Sequence, residues 1–176
     1  VLDASIDANN PTSNTGTNSR LNLGYDSSNG GDNDILLDFD LSQIPWPAAT
    51  TPTSMILELT QSSTSQSTTP LTVSAYACSN FAESSVTYAN APSCGTTEIT
   101  RTTILPSNSG VVEWDLTALA QSNFANGNLS FTIILDSVSS ASGFEFYSSD
   151  SSLLNVQPKL IFEYVDNIGG VIPPSQ

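Results

Sequence analysis

The sequence predicts an all-β protein: a jelly-roll-type β-sandwich of about ten strands with one short helix near residues 116–124. Three observations carry this. Apolar residues recur at every second position over runs of strand length. Turn chemistry separates the runs, with Asn-Pro at 10–11, Ser-Asn-Gly-Gly-Asp at 28–32, Pro-Trp-Pro at 45–47 and Asn-Gly at 126–127. Many short strands punctuated this way describe an antiparallel sandwich, not alternating β and α units.

Short apolar runs at 4–7 and 21–25 open the chain. In the next run Ile35, Leu37, Phe39 and Leu41 share one face, with Leu36, Asp38, Asp40 and Ser42 opposite. Met55, Leu57 and Leu59 alternate with Ile56, Glu58 and Thr60, and Leu71, Val73, Ala75 and Ala77 with Thr72, Ser74, Tyr76 and Cys78. Runs at 102–105 and 111–115 follow. The period then changes: Leu116, Leu119, Ala120 and Phe124 fall at helical spacing, with Asp115 placed to cap the first turn. Leu129, Phe131, Ile133 and Leu135 restore the two-residue period, which Phe144 and Phe146, then Leu160, Phe162 and Tyr164, complete. Residues 1–165 read as a single domain. Residues 166–176 read as a tail with a Gly169-Gly170 hinge and a short apolar end, Val171-Ile172, before Pro173-Pro174.

The 176 residues are one domain's worth of chain, long enough to bury about 70% of the unfolded surface. Seventeen acidic residues against three basic ones give a net charge of −14, and there is no histidine. Three scattered cations cannot make a nucleic-acid footprint. Without histidine there is no Ser-His-Asp triad and no His-ligated zinc. No apolar run reaches the 18 residues of a membrane-spanning helix. Only 11% of residues are charged, so the surface is solubilised by its 29 Ser, 19 Thr and 15 Asn. That composition, with a chain that opens on Val1-Leu2-Asp3 and not on methionine, points to a processed protein outside the cell.

Cys78 and Cys94 bracket a polar loop and read as a structural disulfide of a secreted protein. Asp26, Asn29, Asp32 and Asp34 gather around Gly30-Gly31, the oxygen-rich bent loop that a calcium ion uses; the same residues also make ordinary tight turns. No other cofactor is expected. Two carboxylate pairs, Asp38 with Asp40 and Glu113 with Asp115, lie two residues apart on strands, the habit of wet sheet faces more than of a glycosidase. Tyr25, Trp46 and Tyr147 are candidate rings for stacking on sugar, whereas Trp114 alternates with core positions. Asn128-Leu129-Ser130 is a sequon for N-glycosylation after a predicted turn.

Five motifs in order also carry a family resemblance over residues 4–164. They are Ile6-Asp-Ala-Asn-Asn-Pro11 with Asn14-Thr-Gly16 and Leu21-Asn-Leu-Gly24; Leu37-Asp-Phe-Asp-Leu-Ser-Gln-Ile-Pro45; Phe81-Ala-Glu-Ser-Ser-Val-Thr-Tyr-Ala-Asn-Ala-Pro92; Val112-Glu-Trp-Asp-Leu-Thr117; and Pro158-Lys-Leu-Ile-Phe-Glu-Tyr164. On these the chain resembles the DNRLRE domain, a disaggregatase-related family of extracellular β-sandwich modules. Some of its members are carbohydrate-binding modules for alginate-like polysaccharides. Where that family often carries Arg after its Phe-x-Phe strand, this chain has Ser148-Ser149-Asp150.

Two functions follow as expectations, neither of them enzymatic. The first is a structural subunit of an extracellular filament of identical chains, joined through terminal segments, with Val1 and Leu2 at one end and Val171 and Ile172 at the other as anchors. The alternative, implied by the resemblance, is a carbohydrate-binding or adhesive module. A chain at −14 repels a polyanion, so its glycan is expected to be neutral.

Overall fold

The computed structural model describes residues 1–26, 31–47, 50–62, 67–106, 110–137 and 143–166. Ten strands and one helix follow in the order β1 (Leu2–Asp7), β2 (Arg20–Asp26), β3 (Gly31–Asp40), β4 (Thr50–Thr60), β5 (Leu71–Cys78), β6 (Cys94–Ile104), β7 (Val111–Asp115), α1 (Thr117–Ala125), β8 (Ser130–Ser137), β9 (Gly143–Tyr147) and β10 (Lys159–Asp166). All pairing is antiparallel. The strands form the two sheets of an all-β sandwich, divided unequally. Seven strands run β6-β5-β8-β3-β2-β9 with β1 also on β3, and three run β10-β4-β7. A bridge between Gln61 and Phe146 ties the sheets at one corner.

The alternation seen in the sequence is what fills the space between the sheets. Ile35, Leu37 and Phe39 of β3, Val73 and Ala75 of β5, and Phe131, Ile133 and Leu135 of β8 face Met55, Leu57 and Leu59 of β4 and Trp114 of β7. Trp114 is fully buried, its ring edge-on to Phe146 at 6.3 Å. The helix α1 packs on β4, with Ala120 buried. It starts one residue after the expected cap: Leu116 holds the N-cap position, and the Asp115 carboxylate accepts the Thr117 amide at 2.9 Å from just outside.

Two departures from the sequence reading matter for the site. Strand β6 starts at Cys94, eight residues before the run expected at 102. Its first half is an exposed edge, which has no core face to impose a period of two. Leu36, assigned to the wet side of β3, is fully buried. It belongs to a second apolar cluster on the outer face of the large sheet, with Ala4 and Ile6 of β1 and Val86, and with Ile134, Phe81 and Cys78 packed around them. The cover is the segment 79–93, closed by the Cys78–Cys94 disulfide.

Candidate functional site

The 79–93 segment lies across the outer face as a belt, and its anchors come from distant sequence. The disulfide fixes both ends at the foot of β5 and β6, where Cys78 and Cys94 are register partners. Val86 inserts against Leu36, Ala4 and Ile6. Asn14 Nδ2 donates to the carbonyls of Glu83 and Val86, both at 2.7 Å. The Asp3 amide donates to Glu83 Oε1 at 2.7 Å, and the Ala89 amide to the Pro11 carbonyl at 2.8 Å. Gly16 is required where it stands, because a Cβ there would collide with the Glu83 carbonyl and side chain. The motif residues around 14–16 and 81–92 therefore act on each other: one segment clasps the other to the sheet.

Inside the belt the chain shapes a cleft of about 210 Å³ lined by Asn80, Phe81, Ala82, Ser85, Val86, Asn90 and Pro92. That is small beside the clefts that enclose drug-sized ligands, and matches about one sugar ring. Asn90 holds the wall in shape: its Oδ1 accepts from the Thr87 amide at 2.6 Å and its Nδ2 donates to the Ser85 carbonyl at 3.0 Å. Asn80 borders the sheet, its Oδ1 3.0 Å from Thr132 Oγ1, which lies 2.9 Å from Asp38 Oδ1. The cleft thus offers amides, a hydroxyl, an aromatic ring and apolar carbon, with no charged side chain in its lining.

Beyond the disulfide the outer face continues in rows set by strand register. Tyr76 of β5 stands opposite Glu98 of β6, and Ser74 opposite Arg101. Glu98 Oε2 accepts from Ser74 Oγ at 2.6 Å and from Arg101 Nη2 and Nε at 2.7 and 3.0 Å. The Ser74 hydroxyl first, then Arg101, hold the Glu98 carboxyl below its ordinary range. At the far side of the sheet Arg20 of β2 bonds Glu145 of β9 at 3.2 Å and lies over the Tyr147 ring at 3.9 Å.

Acidic groups cluster in two places. Asp32 and Asp34 of β3 meet Asp136 of β8, where the carboxyls of Asp34 and Asp136 hydrogen-bond each other. Burial, then the charges of Asp136 and Asp32, push Asp34 up to about 7. Of the four residues expected to hold calcium, these two are brought to one place, while Asn29 and the side chain of Asp26 lie outside the described residues. Asp136 joins them without having been singled out in the sequence. At the rim of the belt, carboxylate oxygens of Asp3, Glu83 and Asp150 fall within 4.8 Å of one another, a spacing that suits a hard cation. Asp3 is buried, which raises it to about 6 even though Oδ2 accepts the Ser149 amide at 2.7 Å.

The other candidate residues sit apart. Trp46 is half-buried in an aromatic group with Phe162, Phe124 and Tyr164 at 4.8, 5.2 and 5.6 Å between centroids, beside β10 of the small sheet. Tyr147 has one ring face taken by Arg20, and Tyr25 stands at the end of β2. Tyr25 and Tyr147 thus belong to neighbouring strands of the large sheet, and Trp46 packs beside the small one. In the carboxylate pairs, Asp38 accepts hydroxyls of Ser130 and Thr132, Asp40 accepts the Ser42 amide, and Asp115 serves α1. Asn128 is exposed, its Oδ1 accepting the Ser130 amide at 3.1 Å in the turn after α1. Val1 and Leu2 are exposed at the start of β1, while Val171 and Ile172 lie outside the described residues. Nothing in the described residues supports end-to-end assembly.

The belt residues Asn80, Ser85 and Asn90, and the Tyr76–Glu98–Arg101 group, received no role from the sequence. The usable signal was the cysteine pair: a polar loop closed by a disulfide is a rigid platform, and these cleft residues lie between Cys78 and Cys94 or beside them. Among described residues no helix is long and apolar enough to cross a membrane. No curated protein matches the chain. A family model, carbohydrate-binding module family 96, matches residues 1–164, the whole sandwich from before β1 to within β10. The chain belongs to carbohydrate-binding module family 96.

Proposed function

We propose that this protein is a secreted, non-catalytic module that binds a neutral glycan, with a sugar unit seated in the Asn80–Pro92 cleft. Family membership supports carbohydrate binding. The disulfide supports an oxidising, extracellular setting. The observation that carries the choice of ligand is the cleft lining: Asn80, Ser85, Phe81 and Pro92 without a cation. Sugars present hydroxyls around an apolar ring face, and this lining matches both. A polyuronate would need cations: Arg20 and Arg101 are already bonded to Glu145 and Glu98, and Lys159 lies on β10 of the small sheet, not beside the cleft. The motif likeness to the DNRLRE domain fits here too, since its residues Asn14, Gly16 and Glu83 build the belt that forms the cleft.

The test is calorimetric titration with neutral hexasaccharides and with oligoalginate. Binding of a neutral glycan, weakened about fivefold to tenfold by Asn80→Ala and by Phe81→Ala, is expected from the loss of one hydrogen bond or one ring contact. Tight binding of oligoalginate with no neutral ligand would refute the proposal.

A further inference from the structure

We propose a second sugar subsite, made by Tyr76, Glu98 and Arg101, which reads two adjacent hydroxyls, so that the ligand is an oligosaccharide laid along β5 from the cleft. This rests on the reading of the protein as a glycan-binding module and deepens it.

The Glu98–Arg101 pair is arranged as a donor and an acceptor held side by side. Arg101 donates Nε and Nη2 to a single oxygen, Glu98 Oε2, which Ser74 Oγ also engages. Three donors on one oxygen leave Glu98 Oε1 as an acceptor and Arg101 Nη1 as a donor, with no hydrogen-bond partner for either among the described residues. Both side chains reach solvent, at 34% and 56% exposure. The donated hydrogen bonds favour the ionised carboxylate and hold the guanidinium beside it, which lowers the ordering needed when a ligand arrives. A hydroxyl that donates to Glu98 Oε1 beside one that accepts from Arg101 Nη1 satisfies both groups at once. A vicinal diol offers such a donor beside an acceptor, whereas a carboxylate would be repelled by Glu98.

Tyr76 is the register partner of Glu98 and supplies the ring. Tyr76 is half-buried between its register partners Glu98 and Ile134, and no aromatic ring or cation stacks on it among the described residues, in contrast to Tyr147, whose face Arg20 occupies. Placement links the subsite to the cleft. Tyr76 and Ser74 precede Cys78 on one face of β5, so the Arg101 row lies on the order of 13 Å from the disulfide that bounds the cleft. That span suits successive units of one chain.

The glycosidic linkage makes this testable. Internal units of a 1,4-linked glucan or mannan keep adjacent free hydroxyls at positions 2 and 3. Internal units of a 1,3-linked glucan do not. Titrations would use cellohexaose, mannohexaose and laminarihexaose with the wild type, Glu98→Gln, Arg101→Met and Asn80→Ala, with thermal unfolding as the folding control. Glu98→Gln keeps the side chain's shape, so a folding defect in Arg101→Met alone does not obscure the result. The expected result is binding of a 1,4-linked hexasaccharide, weakened about tenfold by Glu98→Gln and by Arg101→Met, with cellobiose or mannobiose binding lowered only by Asn80→Ala. If a hexasaccharide binds and both β6 variants bind it as the wild type does, the subsite is refuted and the module reading stands. If no hexasaccharide binds at all, both fall.

Discussion

Replacing Asp34 with Asn is expected to stabilise this protein at alkaline pH and to do little in acid. Asp34 sits on β3 one step beyond the Ile35–Leu135 pair, which sets it opposite Asp136, while Ile6 flanks it from β1. Burial raises its carboxyl most, followed by the charges of Asp136 and Asp32, taking it from 3.8 to about 7. Below pH 3.8 the group is protonated whether the chain is folded or not, and folding carries no penalty from it. Between 3.8 and about 7 the unfolded chain releases the proton while the folded one keeps it, so stability falls as pH rises. Above about 7 the loss is complete. Roughly three pH units at 1.36 kcal/mol each amount to about 4 kcal/mol. Asparagine has the shape of the protonated acid and can still donate to Asp136. Urea unfolding followed by tryptophan fluorescence at pH 4, 6 and 8 measures this directly. The variant should match the wild type at pH 4 and exceed it by up to about 4 kcal/mol at pH 8. Equal destabilisation at all three pH values would refute the reasoning, because it would mean that Asp34 acts as an ionised hydrogen-bond acceptor.

Three further outcomes are expected. Replacing both Cys78 and Cys94 with Ser should cost roughly 3 kcal/mol in thermal unfolding, the chain-entropy value for a loop of this length, and should weaken glycan binding more than any single cleft substitution. Gly16→Ala should cost about 1–3 kcal/mol by forcing the belt off the sheet, read as faster hydrogen exchange at the amides of residues 82–89 while the β8 amides stay protected. Trp46→Ala should cost about 2 kcal/mol, below the value for a fully buried ring because Trp46 is half-exposed, and should abolish much of the near-ultraviolet dichroism without changing glycan affinity.

What the sequence made legible was whatever repeats locally. Strand β5 runs from Leu71 to Cys78 as read, because its apolar side chains alternate against a continuous core. The helix was found where the period changed. The first half of β6 was missed for the converse reason: Gly95 to Arg101 is an edge with little to bury, and nothing in its pattern separates it from a loop. The second apolar cluster was invisible because it depends on Val86 meeting Leu36, and on Asn14 meeting Glu83 some 69 residues away, contacts that no period encodes. For the same reason the cysteines were readable as a pair, but the cleft they enclose was not. The calcium expectation rested on a loop whose apparent ligands meet an acid, Asp136, from another strand; short-range spacing cannot anticipate that.

The belt separates two kinds of residue that loops usually mix. Its fastenings are Cys78, Val86, the Glu83 carbonyl and Cys94, and each is met by a fixed partner on the sheet or on the 14–16 segment. Ser85 and Pro92 stand between those fastenings, while Asn80 lines the cleft and also reaches the sheet through Thr132. A change at one of these positions need not disturb the sandwich, whose core between the sheets contains no belt residue. The architecture is that of a cassette: a common frame with exchangeable contents. Members of one lineage could then diverge in the sugar they prefer by drift over a handful of positions, while the clasp and the sheets beneath it are inherited whole.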